Sequence, residues 1–432
     1  MDDGARRVRP CTTVCLVKIA VLGGGSWGTT VASLVAARHD TVLWARDPEV
    51  ARSVREDHEN PHYLPGFGLD TSLSATADLE EAVCGADLLV LGVPTSGFRR
   101  VLEDAAPFMR PWIPVVSLSK GLERGSHLRM TEVIKEVVSG HPVAALTGPN
   151  IASEILAGKA AAAVIATEDL EVASAIQAVF TRGVFRVYVN DDVIGCELGG
   201  ALKNVIAIAA GMGQGLGVGD NTRAAVMSRG LAELMRLGEA MGAKAATFAG
   251  LAGMGDLIAT CVSPHSRNRA VGEQLGKGRR LADILDEMHM VAEGVNTANV
   301  ALELAERHDL DLPICRMIDK VVKGEMEPVD TYWGLTPAGH EADRPGPSPV
   351  PTRHPVRARI PARTPRAGRR GRPRPDGTAT RRAAVRWSSG RGRLPPGPRP
   401  GAGPGAASAP VRTSVAPRPN VDDSAGGIQG VD

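Results

Sequence analysis

The sequence predicts an α/β protein: a mostly parallel sheet covered by helices, then an all-helical domain, then a basic tail with no fold of its own. Three observations lead there. An apolar run near the N-terminus passes directly into a glycine-rich turn, Lys18 to Gly28 (KIAVLGGGSWG). Apolar strand-like runs then alternate with helical stretches to about residue 192, the pattern of a parallel sheet buried on both faces. Beyond residue 193 the strand signals stop, and beyond residue 334 the core-forming character is lost.

In chain order, residues 1–16 form an N-terminal extension. Residues 17–192 form the sheet domain, residues 193–334 the helical domain, and residues 335–432 a Pro/Arg/Gly-rich tail. The first strand is predicted over 17–22, a helix over 27–38 and a second strand over 41–45. Between strand and helix stands Gly23-x-Gly25-x-x-Gly28. Gly23 permits the tight turn, Gly25 lets a pyrophosphate approach the backbone, and Gly28 lets the helix pack closely. The helix N-terminus adds N–H groups and partial positive charge for the phosphates. This is the fingerprint of a Rossmann-type dinucleotide site. Taken without its context, the same triplet is also a common structural turn.

Further strands are predicted at Ala86–Val93, Pro114–Ser119, Val143–Leu146 and Ala161–Ala166, with a short β-like run at Val187–Asn190. Ligands in such sheets sit beyond the C-terminal strand ends. Pro94-Thr95 and Lys120-Gly121 therefore belong to the functional edge. Glu197–Ala210, Asn221–Met241 and Leu281–His308 read as helices. The tail cannot build a core: Arg353 to Pro375 alone carries nine arginines and no acid. A basic tail attracts nucleic acid by charge, but this one lacks stacking aromatics and a folded recognition module. It also resembles a GC-rich frame translated out of phase.

Composition excludes several classes. The hydrophobic share of 43% supports sizeable cores, aliphatic because aromatics are only 3%. A net charge of +2 names no partner. The six cysteines (Cys11, Cys15, Cys84, Cys196, Cys261, Cys315) contain no Cys-x-x-Cys pair, so reduced thiols in the cytoplasm are expected. No uninterrupted apolar run reaches membrane-span length, and no hydrophobic signal core opens the chain. His127, His141, His265 and His289 lack metal-ligand spacing, and no metal is expected.

The second strand ends in Trp44-Ala45-Arg46-Asp47. Where an NAD site usually has an acid, Arg46 suits adenine stacking or a 2′-phosphate, favouring NADPH or use of both cofactors. The alternatives are that Arg46 merely faces solvent and that Asp47 caps the next helix. Lys203 lies among small and aliphatic residues, an expensive place for an ammonium without a partner. Burial lowers a lysine pKa and makes it a usable acid or base. Asp256, in a glycine-rich loop, is its expected companion, and snorkelling to water is the bland reading. Ser266-Arg267-Asn268 offers a hydroxyl, a guanidinium and an amide, suited to a small phosphate or to a helix start. Gly148-Pro149-Asn150 is either a capped turn or a pocket wall.

Together the segments GGGSWGTT (23–30), SLSKGLE (117–123), GPNIASEI (148–155), ELGGALKNVIAIAAG (197–211), GDNTRAAVMSRGLAE (219–233), GLAGMGDLIATCVSPHSRNRAVG (250–272) and VAEGVNTA (291–298) resemble the bacterial NAD(P)-dependent glycerol-3-phosphate dehydrogenase family over about residues 17–330. The resemblance implies reversible reduction of dihydroxyacetone phosphate to sn-glycerol 3-phosphate with NADPH or NADH, a supply for phospholipid synthesis. It implies Lys203 as the proton-transfer residue. Lys120, Gly148, Asp256, Ser266, Arg267 and Asn268 would hold the small phosphorylated substrate. Ser26, Trp27, Arg46, Lys120, Ala152, Arg267, Val291 and Glu293 would contact the cofactor, and a second copy would make a homodimer. The family ends soon after its helical part. Here the region continues into the tail, so an altered last helix is expected. A hydroxyacid or ketoacid reductase on a related scaffold and a non-catalytic nucleotide-binding sensor remain rival readings.

Overall fold

The computed structural model describes residues 17–288 and 292–332. The N-terminal extension, Val291, His289 and the tail lie outside the described residues. In chain order the first part runs β1 (Lys18–Leu22), α1 (Ser26–Ala36), β2 (Asp40–Trp44), α2 (Pro48–Arg52), β3 (Ser74–Thr76), α3 (Leu79–Val83), β4 (Leu88–Leu91), α4 (Thr95–Ala105), β5 (Val115–Ser117), α5 (Met130–Val137), β6 (Val143–Thr147), α6 (Ala152–Leu156), β7 (Ala161–Ala166), α7 (Leu170–Phe180) and β8 (Phe185–Asn190). The strands form one sheet in the order β3-β2-β1-β4-β5-β6-β7-β8. The first six are mutually parallel, and β7 pairs antiparallel with β6. Ile19, Val21 and Val90 belong to one apolar cluster and Ala20, Leu22 and Leu89 to another, so consecutive side chains bury on opposite faces.

Two features of the sheet differ from the sequence reading. β3 is three residues of Ser, Ala and Thr, too short and too polar to show a hydrophobic period. β7 reverses direction because α6 has five residues, about 7.5 Å of helix, against about 20 Å for a six-residue strand. A parallel crossover needs a helix able to carry the chain back.

The strand order turns round between β1 and β4, which makes their C-terminal ends the topological switch point. Backbones meet closely here. A Cβ on Gly28 would lie 2.1 Å from the Gly23 carbonyl oxygen, and one on Gly23, at φ +122°, would lie 2.7 Å from the Gly92 oxygen. Neither neighbour can yield, because both are main chain.

The helical part runs α8 (Val193–Gly215), α9 (Asp220–Ala240), α10 (Ala245–Phe248), α11 (Asp256–Val262), α12 (Arg267–Gly276), α13 (Leu281–Asp286), α14 (Glu293–Arg307) and α15 (Pro313–Val322). α8 is its axis. Asp192 caps α8 through the Gly195 N–H (2.9 Å) and also accepts from the Lys244 N–H and the Thr247 hydroxyl, tying the start of α10 to it. Small residues let α12 lie against α8 backbone to backbone: a Cβ on Gly272 would lie 2.0 Å from the Ile208 oxygen, and one on Gly211 2.1 Å from the Arg269 oxygen. Glu197 on α8 reaches across to α5 and accepts from the Thr131 N–H (2.9 Å) and from Arg129 (2.7 Å). Its burial pushes the carboxyl pKa up, and these partners oppose that shift.

The stretch read as one helix over 281–308 is two, because tertiary bonds fix the start of α14. Glu293 binds Thr95 of the sheet part, and the Gly294 N–H donates to Asn268 Oδ1 (3.0 Å). The last helix, α15, is present. After it Tyr332 is buried and its hydroxyl donates to the Ala209 carbonyl of α8.

By length and composition, Val193–Gly215 and Ala245–Val262 are apolar enough to cross a bilayer. A search for uninterrupted apolar runs passes over the first because Glu197 and Lys203 break it. That stretch is 94% buried by the protein around it.

Candidate active site

α8 carries Lys203 to the place where the helical part meets the C-terminal ends of β5 and β6. Lys203 is 5% exposed. Its ammonium donates to Asp256 Oδ1 and to Thr260 Oγ1 (2.7 Å). The Thr260 hydroxyl in turn donates to the Asp256 carbonyl (2.6 Å), so it is oriented to accept from the lysine. Lys120, just beyond β5, donates to the other carboxylate oxygen, Asp256 Oδ2 (2.9 Å), and to the Gly148 carbonyl (2.7 Å). One carboxylate, 2% exposed, thus bridges two ammonium groups.

Burial dominates the Lys203 equilibrium and lowers its pKa from 10.5 to about 7. Asp256 opposes the shift and the Lys120 charge adds to it. A lysine so placed exchanges a proton near neutral pH.

The floor of the site holds polar atoms with no hydrogen-bond partner among the described residues. Thr147 Oγ1, at the end of β6, and Asn150 Oδ1 are both buried. A Cβ on Gly200 would lie 2.8 Å from Thr147 Oγ1 and 3.5 Å from Cγ of Lys120. The glycine therefore leaves the space above that floor clear. Buried orphan acceptors and donors normally have partners, which fits a polar ligand here.

The nucleotide edge also fits its group. A Cβ built on Gly25 meets nothing within 4 Å, so the turn is open where a pyrophosphate would approach. Gly25 is the N-cap of α1 and no side chain caps that end, leaving its first N–H groups for an anion. Ser26 donates its hydroxyl to the Tyr63 carbonyl (2.9 Å). The Trp27 ring packs edge-on against Phe185, and its Nε1 is buried with no hydrogen-bond partner among the described residues. The main-chain N–H groups of Ser26 and Trp27 lie in the first turn of α1. Arg46 is exposed at the end of β2, and Asp47 caps α2 by accepting from the Glu49 N–H (2.9 Å). Ala152 opens α6, half-buried, behind the Gly148 turn.

At the start of α12, Ser266 is the N-cap and accepts from the Arg269 N–H (3.3 Å). Arg267 is exposed to solvent, yet burial by the protein around it lowers its pKa and the Glu293 charge opposes that shift. Asn268 is buried with both ends of its amide in use: Nδ2 donates to Asn204 Oδ1 (3.0 Å), and Oδ1 accepts from the Gly294 N–H. Asn204 donates to the Lys120 carbonyl (3.2 Å). The sequence offers this triplet as a phosphate site or a helix start. In the structure the Ser266 side chain caps α12, Asn268 ties α12 to α8 and α14, and Arg267 is the exposed group of the three. Glu293 accepts from the Thr95 N–H (3.2 Å) and hydroxyl (2.8 Å) at the start of α4, across the mouth of the cleft. Val291 lies outside the described residues.

Lys120, Gly148, Lys203 and Asp256 are therefore directly joined. Thr260 and Asn204 escaped sequence reading. The signal for Thr260 is its position four residues after Asp256 on one helix face, and Asn204 adjoins Lys203. Among the described residues no group of three or more His, Cys, Asp and Glu side chains could hold a metal ion.

Residues 18–173 match the N-terminal model of NAD-dependent glycerol-3-phosphate dehydrogenase, and residues 192–332 match its C-terminal model. The chain belongs to this family. A glycerol-3-phosphate dehydrogenase [NAD(P)+] of Sphingopyxis alaskensis is 56% identical over 319 residues, 74% of this chain and 96% of the relative. One from Mycobacterium bovis is 51% identical over 327 residues, 75% of this chain and 96% of the relative. The crystal structure of glycerol-3-phosphate dehydrogenase from Coxiella burnetii has a TM-score of 0.71 at 33% identity, over 74% of this chain and 98% of that one. As a glycerol-3-phosphate dehydrogenase this protein is an NAD(P)-dependent oxidoreductase, and the sensor and ketoacid-reductase readings fall away.

Proposed function

We propose that the protein reversibly reduces dihydroxyacetone phosphate to sn-glycerol 3-phosphate in the cytoplasm, feeding glycerophospholipid synthesis. The observation that carries this reading is the buried Lys203–Asp256–Lys120 bridge at the foot of a nucleotide-binding edge. The C-terminal edge of β1, β2 and β4 would hold a reduced nicotinamide dinucleotide, which when bound would supply a hydride to C2 of the ketone. Lys203 Nζ gives its proton to the carbonyl oxygen in reduction and takes it from the alcohol in oxidation. Asp256 holds that ammonium in line and Lys120 beside it. Arg267, exposed at the α12 start, binds the substrate phosphate, for which a guanidinium fork is the natural partner. Asn268 and Ser266 hold that helix end in position. Glu293 and Thr95 close the nicotinamide side, and Arg46 receives the adenosine end, which favours NADPH or use of both cofactors. The four described cysteines are free thiols, in keeping with a reducing compartment.

The test is NADPH oxidation with dihydroxyacetone phosphate against unphosphorylated dihydroxyacetone. Turnover of the phosphorylated ketone is expected to exceed the other by at least about 10³ in kcat/KM, since remote binding energy is what aligns C2. Comparable rates for the two would remove the phosphate-binding role. Repeating the assay with NADH reads the cofactor preference.

The active form is proposed to be a homodimer. α11 turns Asp256 and Thr260 inward, and its other side, with Met254 just before the helix, shows an apolar stripe of Met254, Ile258 and Val262, exposed by 40%, 48% and 64%. Monomeric surfaces seldom leave such stripes open. Ile258→Asp is expected to convert a dimer to a monomer in light scattering. A wild-type protein that runs as a monomer at micromolar concentration refutes the proposal.

A further inference from the structure

The glycine turn of the nucleotide edge is held from outside by a residue no sequence motif announces. Asn60 is 0% exposed. Its Nδ2 donates to the Gly24 carbonyl (2.8 Å) and to Thr29 Oγ1 (2.9 Å), and its Oδ1 accepts from the Tyr63 N–H (3.3 Å). It stands in a loop closed by the bridge between Glu59 and Gly68 and by the Leu69 N–H on the His58 carbonyl (2.8 Å). The same loop receives the Ser26 hydroxyl on its Tyr63 carbonyl. Three hydrogen bonds therefore join the loop to the turn and the start of α1.

The turn needs this. Three consecutive glycines are the most permissive backbone available. Gly23 is fixed by its N–H on the Trp44 carbonyl (2.9 Å), and the Gly25 carbonyl by the Thr29 N–H (2.9 Å). The peptide between Gly24 and Gly25 is held, among the described residues, by Asn60 alone. In a trans peptide the carbonyl and the following N–H point in opposite directions. Drawing the Gly24 oxygen inward aims the Gly25 N–H outward, to the side where a Gly25 Cβ would meet nothing. That N–H donates to no described residue.

We propose that Asn60 is a positioning residue for the cofactor pyrophosphate: by holding the Gly24 carbonyl it presents the Gly25 N–H to the phosphate oxygens. The inference rests on the nucleotide edge being the cofactor site. Without Asn60 a glycine–glycine peptide turns over at little cost and offers a carbonyl oxygen to an anion.

The test uses the full chain. NADPH affinity is measured by fluorescence titration, alongside the affinity for adenosine 2′-monophosphate, which carries the adenosine end and no pyrophosphate. Asn60→Leu and Asn60→Ala remove the donor without adding charge, and melting of the unliganded protein reports whether each variant folds. NADPH is expected to bind about tenfold or more weakly, the scale of losing a hydrogen bond to a charged acceptor, while the monophosphate stays within about twofold. Thr29→Val, which cuts the other bond of Nδ2 and leaves Gly24 held, is expected to keep NADPH within about twofold. Unchanged NADPH affinity in the Asn60 variants overturns the proposal. So does equal weakening of both ligands, or failure of both variants to fold, since either makes Asn60 structural only. A wild-type protein that binds no NADPH would instead strike at the cofactor site itself.

Discussion

Lys203→Ala is expected to reduce kcat for dihydroxyacetone phosphate by about 10³- to 10⁴-fold, the upper range for loss of a positioned acid, with NADPH binding unchanged. The reason lies in where the ammonium stands. It is buried, oriented by Asp256 and Thr260, and its pKa is lowered to about 7. No other described ammonium except Lys120 shares that carboxylate, and Lys120 is tied to the Gly148 carbonyl. The pH dependence follows. Reduction needs the protonated lysine, so kcat for reduction falls as pH rises through about 7, and oxidation rises over the same range. Steady-state rates in both directions, with a fluorescence titration of NADPH, check both statements. A variant that keeps a tenth or more of wild-type turnover removes Lys203 from the reaction.

Asp256→Asn is expected to cost about 10²- to 10³-fold in kcat, the effect of losing the charge that aligns an acid. Two ammonium groups would then face a neutral amide. Asp256 raises the Lys203 pKa against burial and the Lys120 charge. Removing that charge takes away the main opposition to the two lowering effects, so the limb at which reduction declines moves to lower pH. The shift separates an electrostatic role from a structural one, because a variant that is merely unstable loses amplitude without moving the limb. A limb that stays in place or moves to higher pH contradicts the assignment.

Much of this site is legible in the chain because it breaks local expectations. Lys203 stands out as a charge among alanines and glycines, Asp256 as an acid in a glycine-rich loop, and Gly23, Gly25 and Gly28 as a spacing with one geometric purpose. Strands β1, β2 and β4 show as apolar runs because they are buried on both faces. What stays hidden depends on partners distant in the chain. β3 carries no hydrophobic period. The direction of β7 is decided by the length of a helix with no obvious end in sequence. The start of α14 is set by Thr95 and Asn268, which lie 198 and 26 residues away. Ser266 is legible as a helix cap three residues before Arg269, but the bracing role of Asn268 follows from Asn204 and Gly294, which only folding brings near. Asn60 looks like an ordinary loop residue until the turn it supports is beside it.

The close crossing of α8 and α12 leaves tolerance for change unevenly spread along the chain. Where Gly211 and Gly272 bring main chain against main chain, even one added methyl must shift a whole rod, with Lys203, the proposed proton donor, on one and Arg267, the proposed phosphate anchor, on the other. Lesions there would mimic damage to the chemistry itself while every reacting group was still present. Drift over generations should accordingly gather on the outer helices and spare this seam.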